Sequence, residues 1–237
     1  MDGKRPISTE ISIPKKVNGL THTRDLDELR YLRCLRPEPA YIANARRLAQ
    51  QTDNPPLDPE SSALLSFLVT LTKPRRVLEL GTGAGVSGLH VLAAMNANDI
   101  DKSVYVTVDI DPEHTEQAHL LQRTHTGKVD AQYVTADALS YLTELTRSFD
   151  IIIVDIAKPL IVRSVTMAWR CLHANGLMFI DNQWWSGRPI LSEYYNREED
   201  RQVRTLNELL PTFADAKSVQ LPMGDGPVLI YKTVVKR

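Results

Sequence analysis

A chain of 237 residues, 43% hydrophobic and 24% charged, can form one large domain or two small ones around a buried core, with the composition of an ordinary globular protein. Its net charge of −1 gives no global attraction to nucleic acid or to an anionic membrane, and no apolar run approaches the roughly 20 residues of a spanning helix. Two cysteines, Cys34 and Cys171, stand far apart and outside any CxxC spacing, which fits a reduced, cytoplasmic protein.

Residues 1–22 are polar with scattered Pro and Gly and lack the apolar middle of a signal peptide, so a flexible arm is expected there. The first fifty residues carry ten Lys/Arg against six Asp/Glu, read as a solvated arm and helix face rather than a polyanion site. Helices are predicted over 24–36 and from Ala40 (AYIANARRLAQQ). A third, ESSALLSFLVTL, follows Asp58-Pro59, which form a cap and first-turn pair. NPPL, from Asn54 to Leu57, looks like an amide-binding motif of amino-methyltransferases. It lacks the stacking aromatic at the fourth place and is read as a loop before that cap.

The pattern then alternates. RRVLEL, VYVTVDI, AQYVTA, DIIIVDI and GLMFIDN are short apolar β-type runs separated by helical segments; RQVRTLNELL follows, then AKSVQLPM and GPVLIYKTVV. Strands apolar on both faces and alternating with helices predict a parallel sheet covered on each side. The last two strands have only the turn MGDGP between them, so the final strand is expected to be antiparallel. The predicted fold is a Rossmann-like, doubly wound α/β domain: a mostly parallel seven-stranded sheet with an antiparallel last strand. The single domain spans 23–237, with a helical cap over about 23–72 and the core over about 73–237.

In open sheets of this kind ligands bind beyond the carboxyl ends of the strands. Glu79 and Gly81, Asp109, Ala136 to Ala138, Asp155, and Asp181-Asn182 all fall there. In VLELGTGAGVSG, Gly81, Gly83 and Gly85 let the backbone turn tightly and approach a ligand. The helix start beyond suits an anionic group, Ser87 adds a hydroxyl, and Asp109 can accept both hydroxyls of a ribose. Gly83, Gly85 and Gly88 form a literal GxGxxG with Asp109 about twenty residues on, so a dinucleotide-binding oxidoreductase is the rival. Glu79 and the position of Gly81 at the strand's end favour E-x-G-x-G-x-G, the loop of S-adenosylmethionine-dependent methyltransferases.

Asp155 and Asp181 end two successive strands, which neighbour each other in most such sheets about 4.8 Å apart. Carboxylates that close repel, so one takes a proton or a cation sits between them. With Asn182 they make an incomplete all-oxygen shell suited to Mg²⁺, Mn²⁺ or Ca²⁺.

From about Leu57 onward the chain resembles the cation-dependent O-methyltransferases typified by caffeoyl-CoA and catechol O-methyltransferases, especially the small bacterial members. ELGTGAGVSG, VDIDPEH, VDIAK, DNQWWSG, VRTLNELL and LPMGDG carry the resemblance in order. It implies that Glu79, Gly81, Thr82, Gly83 and Ser87 hold the methionine part of the donor, Asp109 the ribose, and Ala138 the adenine. It further implies Asp155, Asp181 and Asn182 as metal ligands, with Mg²⁺ first, and Lys158 as the catalytic base. A homodimer through the N-terminal helices is implied too. Ala157 replaces an acid frequent in plant-type members, Pro159 is expected to hold Lys158 extended, and Trp184 stands where leucine usually precedes the matched Trp185.

The expected activity is methyl transfer to a hydroxyl of a small catechol-like aromatic. Asp155 anchors an ion beside two acceptor oxygens, and Lys158, if its basicity is tuned by burial or neighbours, takes the proton. The alternatives are an NAD(P)-dependent oxidoreductase, which does not need the Asp155, Asp181, Asn182 set, and a non-catalytic S-adenosylmethionine-binding protein. Trp184, Trp185, Tyr194 and Tyr195 fit either an aromatic-lined pocket or core packing.

Overall fold

A computed structural model describes residues 31, 33–51, 55–191 and 196–234. The arm of residues 1–22, most of the helix predicted over 24–36, Asn54, and Tyr194 with Tyr195 lie outside them. Contacts group Glu38–Arg237 into one compact unit and Met1–Pro37 into another. Among the described residues no helix is long and apolar enough to cross a membrane.

The larger unit is built on seven strands: β1 (Arg76–Leu80), β2 (Val104–Asp109), β3 (Asp130–Thr135), β4 (Phe149–Val154), β5 (Leu172–Ile180), β6 (Ala216–Gln220) and β7 (Val228–Lys232). Their order is β3-β2-β1-β4-β5-β7-β6. β1 to β5 pair in parallel, and β7 runs antiparallel to both β5 and β6, as the short MGDGP connection requires. The order reverses between β1 and β4, which opens a crevice beyond their carboxyl ends.

Alternate residues of each strand supply two cores. Leu78, Leu80, Val106, Val108, Ile152, Val154, Met178 and Ile180 face one side. There they meet α5 (Ala138–Glu144), α6 (Ile161–Cys171) and α7 (Glu198–Leu209), through Leu142, Val165 and Leu206 among others. Val77, Tyr105, Ile151, Ile153 and Phe179 face the other, against α2 (Pro59–Thr72) and α3 (Val86–Asn98). The helical cap is thus partly a layer of the core: α2 covers the sheet, while α1 (Ala40–Ala49) packs on α3 through Ile42, Ala45, Val86 and Leu89. Burying a side chain of this kind contributes about 1.5–3 kcal/mol, so the doubly covered central strands form a rigid platform for their own carboxyl ends. α4 (Pro112–Gln122) lies beside β2 and β3.

Three local differences from the sequence reading bear on the site. β5 starts at Leu172 rather than Gly176, because Leu172 pairs with Phe149 and is buried; the register shifts before Leu177 pairs with Ile151. α7 begins at Glu198, where Glu198, Glu199 and Asp200 suit the positive end of a helix. Lys158 is not extended. It opens a 3₁₀ turn, Lys158–Leu160, in which Leu160 N donates to Ala157 O and Ile161 N to Lys158 O, and Pro159 sits where no N–H is needed.

Candidate active site

Beyond the carboxyl ends of the strands lies a cleft of about 980 Å³. The glycine loop forms its floor. Gly81 ends β1 at φ +94°, and a Cβ there would collide with the Asp155 carbonyl oxygen, so only glycine lets the two strand ends lie together. Gly85 takes the left-handed cap position of α3 at φ +76°. Its carbonyl accepts from Gln122 Nε2 at 2.7 Å, and Gln122 Oε1 accepts in turn from Tyr133 at 2.9 Å. Gln122 is fully buried and braces the loop from α4, and no sequence motif marks it.

Asp109 is fixed by the loop it faces. Its Oδ2 accepts from Thr82 N at 2.9 Å and Gly83 N at 3.0 Å, and its Oδ1 from Asp111 N at 3.0 Å. His114 Nδ1 lies 3.3 Å from Oδ1, and His114 itself lines the cleft. Ala138 lines the same end, just inside the Asp137 cap of α5. Gly81, Thr82, Gly83, Ser87, Asp109 and Ala138 therefore come together, as the sequence predicts.

Glu79 is placed differently: it is 1% exposed, lies beneath the loop and does not line the cleft. Its carboxylate accepts from Thr107 Oγ1 at 2.8 Å and, in a short contact, from the Tyr105 hydroxyl. Burial pushes its pKa up to about 7 against the hydrogen bonds of Ser87, Tyr105 and Thr107, with the Asp155 charge adding to the rise. Thr82 Oγ1, 2.7 Å from Thr107 Oγ1, ties this cluster to the loop.

At the other end, Asp155, Lys158, Asp181 and Asn182 converge on the cleft. Lys158 is 8% exposed, and its Nζ donates to Asn182 Oδ1 at 2.9 Å. Asn182, at φ +56°, donates from Nδ2 to Asp225 Oδ2 at 3.2 Å. Asp181 is 1% exposed, and its Oδ1 has no hydrogen-bond partner among the described residues. Burial raises the Asp181 carboxyl well above the usual range, and the charges of Asp155 and Asp58 add to this while Lys158 opposes it. Asp155 is raised too, by burial first and by Asp225 and Asp109, again against Lys158. Among the described residues no three of His, Cys, Asp and Glu gather into a ligand group. The hard-oxygen set is two carboxylates completed by an amide. Two acids disfavoured as anions and one orphaned buried oxygen nevertheless form a place that a small divalent cation fits.

Two further acids belong here that sequence reasoning did not assign. Asp225 lay in the quoted LPMGDG block without a role. Asp58 is the predicted cap, accepting from Ser61 N at 2.9 Å. It also packs on Gly224, where a Cβ would strike its carboxylate. Its neighbour Leu57 is pinned by Arg46, whose Nη1 donates to the Leu57 carbonyl. Arg46 pairs with Glu38 at 2.6 Å, and His90 Nε2 lies 2.9 Å from the same Glu38 oxygen. Burial would raise Glu38, but these two partners outweigh it and hold the carboxyl down at about 2. Of the two tryptophans, Trp185 lines the cleft and carries the Arg188 guanidinium 3.7 Å above its ring, whereas Trp184 is half exposed outside it.

Residues 36–233 match the family model of the O-methyltransferases. A protein of Mycolicibacterium smegmatis, described as a candidate O-methyltransferase, is 30% identical over 194 residues, covering 80% of this chain and 89% of its own. The O-methyltransferase TomG of Streptomyces achromogenes, solved in complex with S-adenosylmethionine, superposes with a TM-score of 0.71 at 25% identity, over 86% of this chain and 95% of its own. A Staphylococcus aureus protein described as a candidate caffeoyl-CoA O-methyltransferase shares the fold at a TM-score of 0.75 and 20% identity, over 88% of this chain and all of its own.

Proposed function

The chain belongs to the O-methyltransferase family, whose reaction draws the methyl group from S-adenosylmethionine, and from that premise we propose a cation-dependent transfer to one hydroxyl of a vicinal dihydroxy aromatic. The observation that carries the finer reading is Asp181: a buried carboxylate with an unpartnered oxygen, beside Asp155 and Asn182, in the same cleft as the glycine loop. Asp155, Asp181 and Asn182 would hold a divalent ion, Mg²⁺ first. When bound, such an ion supplies the positive charge that favours the ionised form of a nearby phenol.

The chain's own residues do the rest. Gly81, Thr82, Gly83 and Ser87 receive the methionine end of the donor, Asp109 its ribose hydroxyls, and Ala138 leaves room for the adenine. Glu79 acts from below, setting the loop through Ser87 and the Thr107–Thr82 contact. Lys158 Nζ, held by Asn182 at the cleft wall, receives the acceptor's proton. The acceptor oxygen then forms its bond to the methyl carbon as the carbon–sulfur bond breaks and the electron pair stays on sulfur. Trp185 offers a flat wall for the aromatic ring.

Transfer of labelled methyl to a catechol panel tests this. Activity is expected with Mg²⁺, to vanish with EDTA and to return when the ion is restored. Full activity in EDTA would remove the cation, and NADH binding without donor binding would remove the methyltransferase. The dinucleotide reading is already disfavoured by the family match.

A further inference from the structure

The half of the cleft that would receive the acceptor is walled by carboxylates from separate elements. Asp155 and Asp181 end β4 and β5, Asp58 caps α2, Glu199 opens α7, and Asp225 sits in the β6–β7 turn. Lys158 is the one lysine or arginine lining the cleft among the described residues. Arg188, stacked on Trp185, spends its charge elsewhere: its Nη2 pairs at 2.8 Å with Asp200, which is fully buried. Asp58 is drawn against Gly224, and Asn182 ties Asp225 to Lys158, so the acids are held at the wall.

A divalent ion and a donor of net charge +1 offset three of these five negative charges. With Asp109 and Asp137 at the donor end, the loaded cleft still keeps an excess of negative charge. Low-dielectric walls focus such a field on whatever enters. An anionic acceptor would meet that field and lose its hydration together, a cost with no guanidinium or second lysine among the described lining residues to offset it.

We propose that this cleft selects acceptors by charge, taking neutral or cationic dihydroxy aromatics and rejecting anionic ones such as carboxylates or phosphate-bearing thioesters. The inference rests on the acceptor reading above and narrows it. Selection acts through Glu199 and through Asp225 and Asp58, which the Gly224 contact brings together. It should weaken with salt, because a partly open cleft is screened over a Debye length of about 10 Å at 0.1 M.

The test uses three matched compounds that share a 3,4-dihydroxyphenyl ring and differ in a two-carbon tail: an amine, an ethyl group and a carboxylate. Their dissociation constants are measured by calorimetry on the full chain with Mg²⁺ and S-adenosylhomocysteine, and their kcat/KM with Mg²⁺ and S-adenosylmethionine. The amine is expected to bind roughly tenfold or more tighter than the acid at low salt, in the range that focused fields give. The ratio should shrink in 0.5 M salt and in the Glu199→Gln, Asp225→Asn double variant. Equal binding of all three, tighter binding of the acid, or an unchanged ratio in the double variant overturns the proposal. Charge-ordered binding with no methyl transfer to any compound leaves it standing and sinks the catechol reading instead.

Discussion

Asp109 and Asp181 end parallel strands of one sheet, and both face the same cleft. Asp109 is surrounded by donors from the chain itself: two loop N–H groups on Oδ2, and Asp111 N with the His114 ring on Oδ1. Asp181 is buried with one oxygen that nothing described here reaches. The donor end is complete without a ligand, and its loop is held in shape by the acid it faces. At the Asp181 end, burial and the neighbouring acids disfavour the ionised carboxyls, a penalty that protons or a cation would relieve. If the preformed half binds the donor and the frustrated half holds the acceptor, as proposed, changes on the two sides should act on different quantities.

The sharpest way to break this contrast is Lys158→Ala. Removing a proton acceptor from the reacting centre should lower kcat by about 10²–10⁴, the usual contribution of general base catalysis, while donor affinity stays as it was. Lys158→Arg should not rescue it, since a guanidinium holds its proton. A variant with undiminished kcat would strip Lys158 of its role.

Asp109→Ala attacks the complete half. The donor loses the partner of its ribose, and Thr82 N and Gly83 N lose their acceptor. Charge-assisted hydrogen bonds contribute about 1.5–3 kcal/mol, so calorimetry should read the donor's Kd as roughly 10- to 100-fold weaker. Acceptor KM at saturating donor should change little. Unchanged donor affinity would mean that Asp109 serves only the loop.

The two halves were not equally legible. Glycines at strand ends and an acid closing the next strand are local signals, and Gly81, Thr82, Gly83, Ser87, Asp109 and Ala138 do meet where the sequence put them. The mostly parallel sheet and its antiparallel last strand also followed from strand–helix alternation and the short MGDGP turn, whereas the strand order did not. Asp155, Asp181 and Asn182 were legible as strand ends. Asp58 and Asp225 were not given to the site, because only tertiary packing brings an N-cap and a hairpin turn against it. Gln122 is invisible in a helical pattern, where a buried amide looks like any polar position. Glu79 was legible as part of the glycine motif, but not its tertiary partners: the pleat sends its side chain under the loop to Tyr105 and Thr107.

Glu79 gives the donor half its own pH signature. The carboxyl is held at about 7 in the fold against an ordinary 4.5. Below pH 4.5 both folded and unfolded chains keep the proton, and stability is at its full value with respect to this group. Between 4.5 and 7 the unfolded chain has released it and the folded chain has not, so stability falls as pH rises, then levels off. Glu79→Gln removes that slope. The wild type should lose up to about 3 kcal/mol across the window relative to the variant, whose own offset from the amide's hydrogen bonding does not change with pH. Chemical denaturation at pH 4.5, 6 and 8 reads it, and parallel curves would mean that Glu79 is ionised throughout.

Asp181→Asn probes the frustrated half with the smallest change. An amide keeps the size of the side chain and drops the charge that burial and its acidic neighbours oppose. Without divalent ions at pH 8, the variant should be more stable than the wild type by about 1–2 kcal/mol, a rise of roughly 2–8 °C in Tm for a domain of this size. The sign follows from the raised carboxyl: its penalty is present above the ordinary carboxylate range and disappears in acid, so the two proteins should converge near pH 4. Mg²⁺ should then raise the Tm of the wild type, closing the gap from the other side, and leave the variant nearly unmoved. A variant less stable than the wild type in EDTA would show that Asp181 is already satisfied by the chain, and the contrast with Asp109 would be gone.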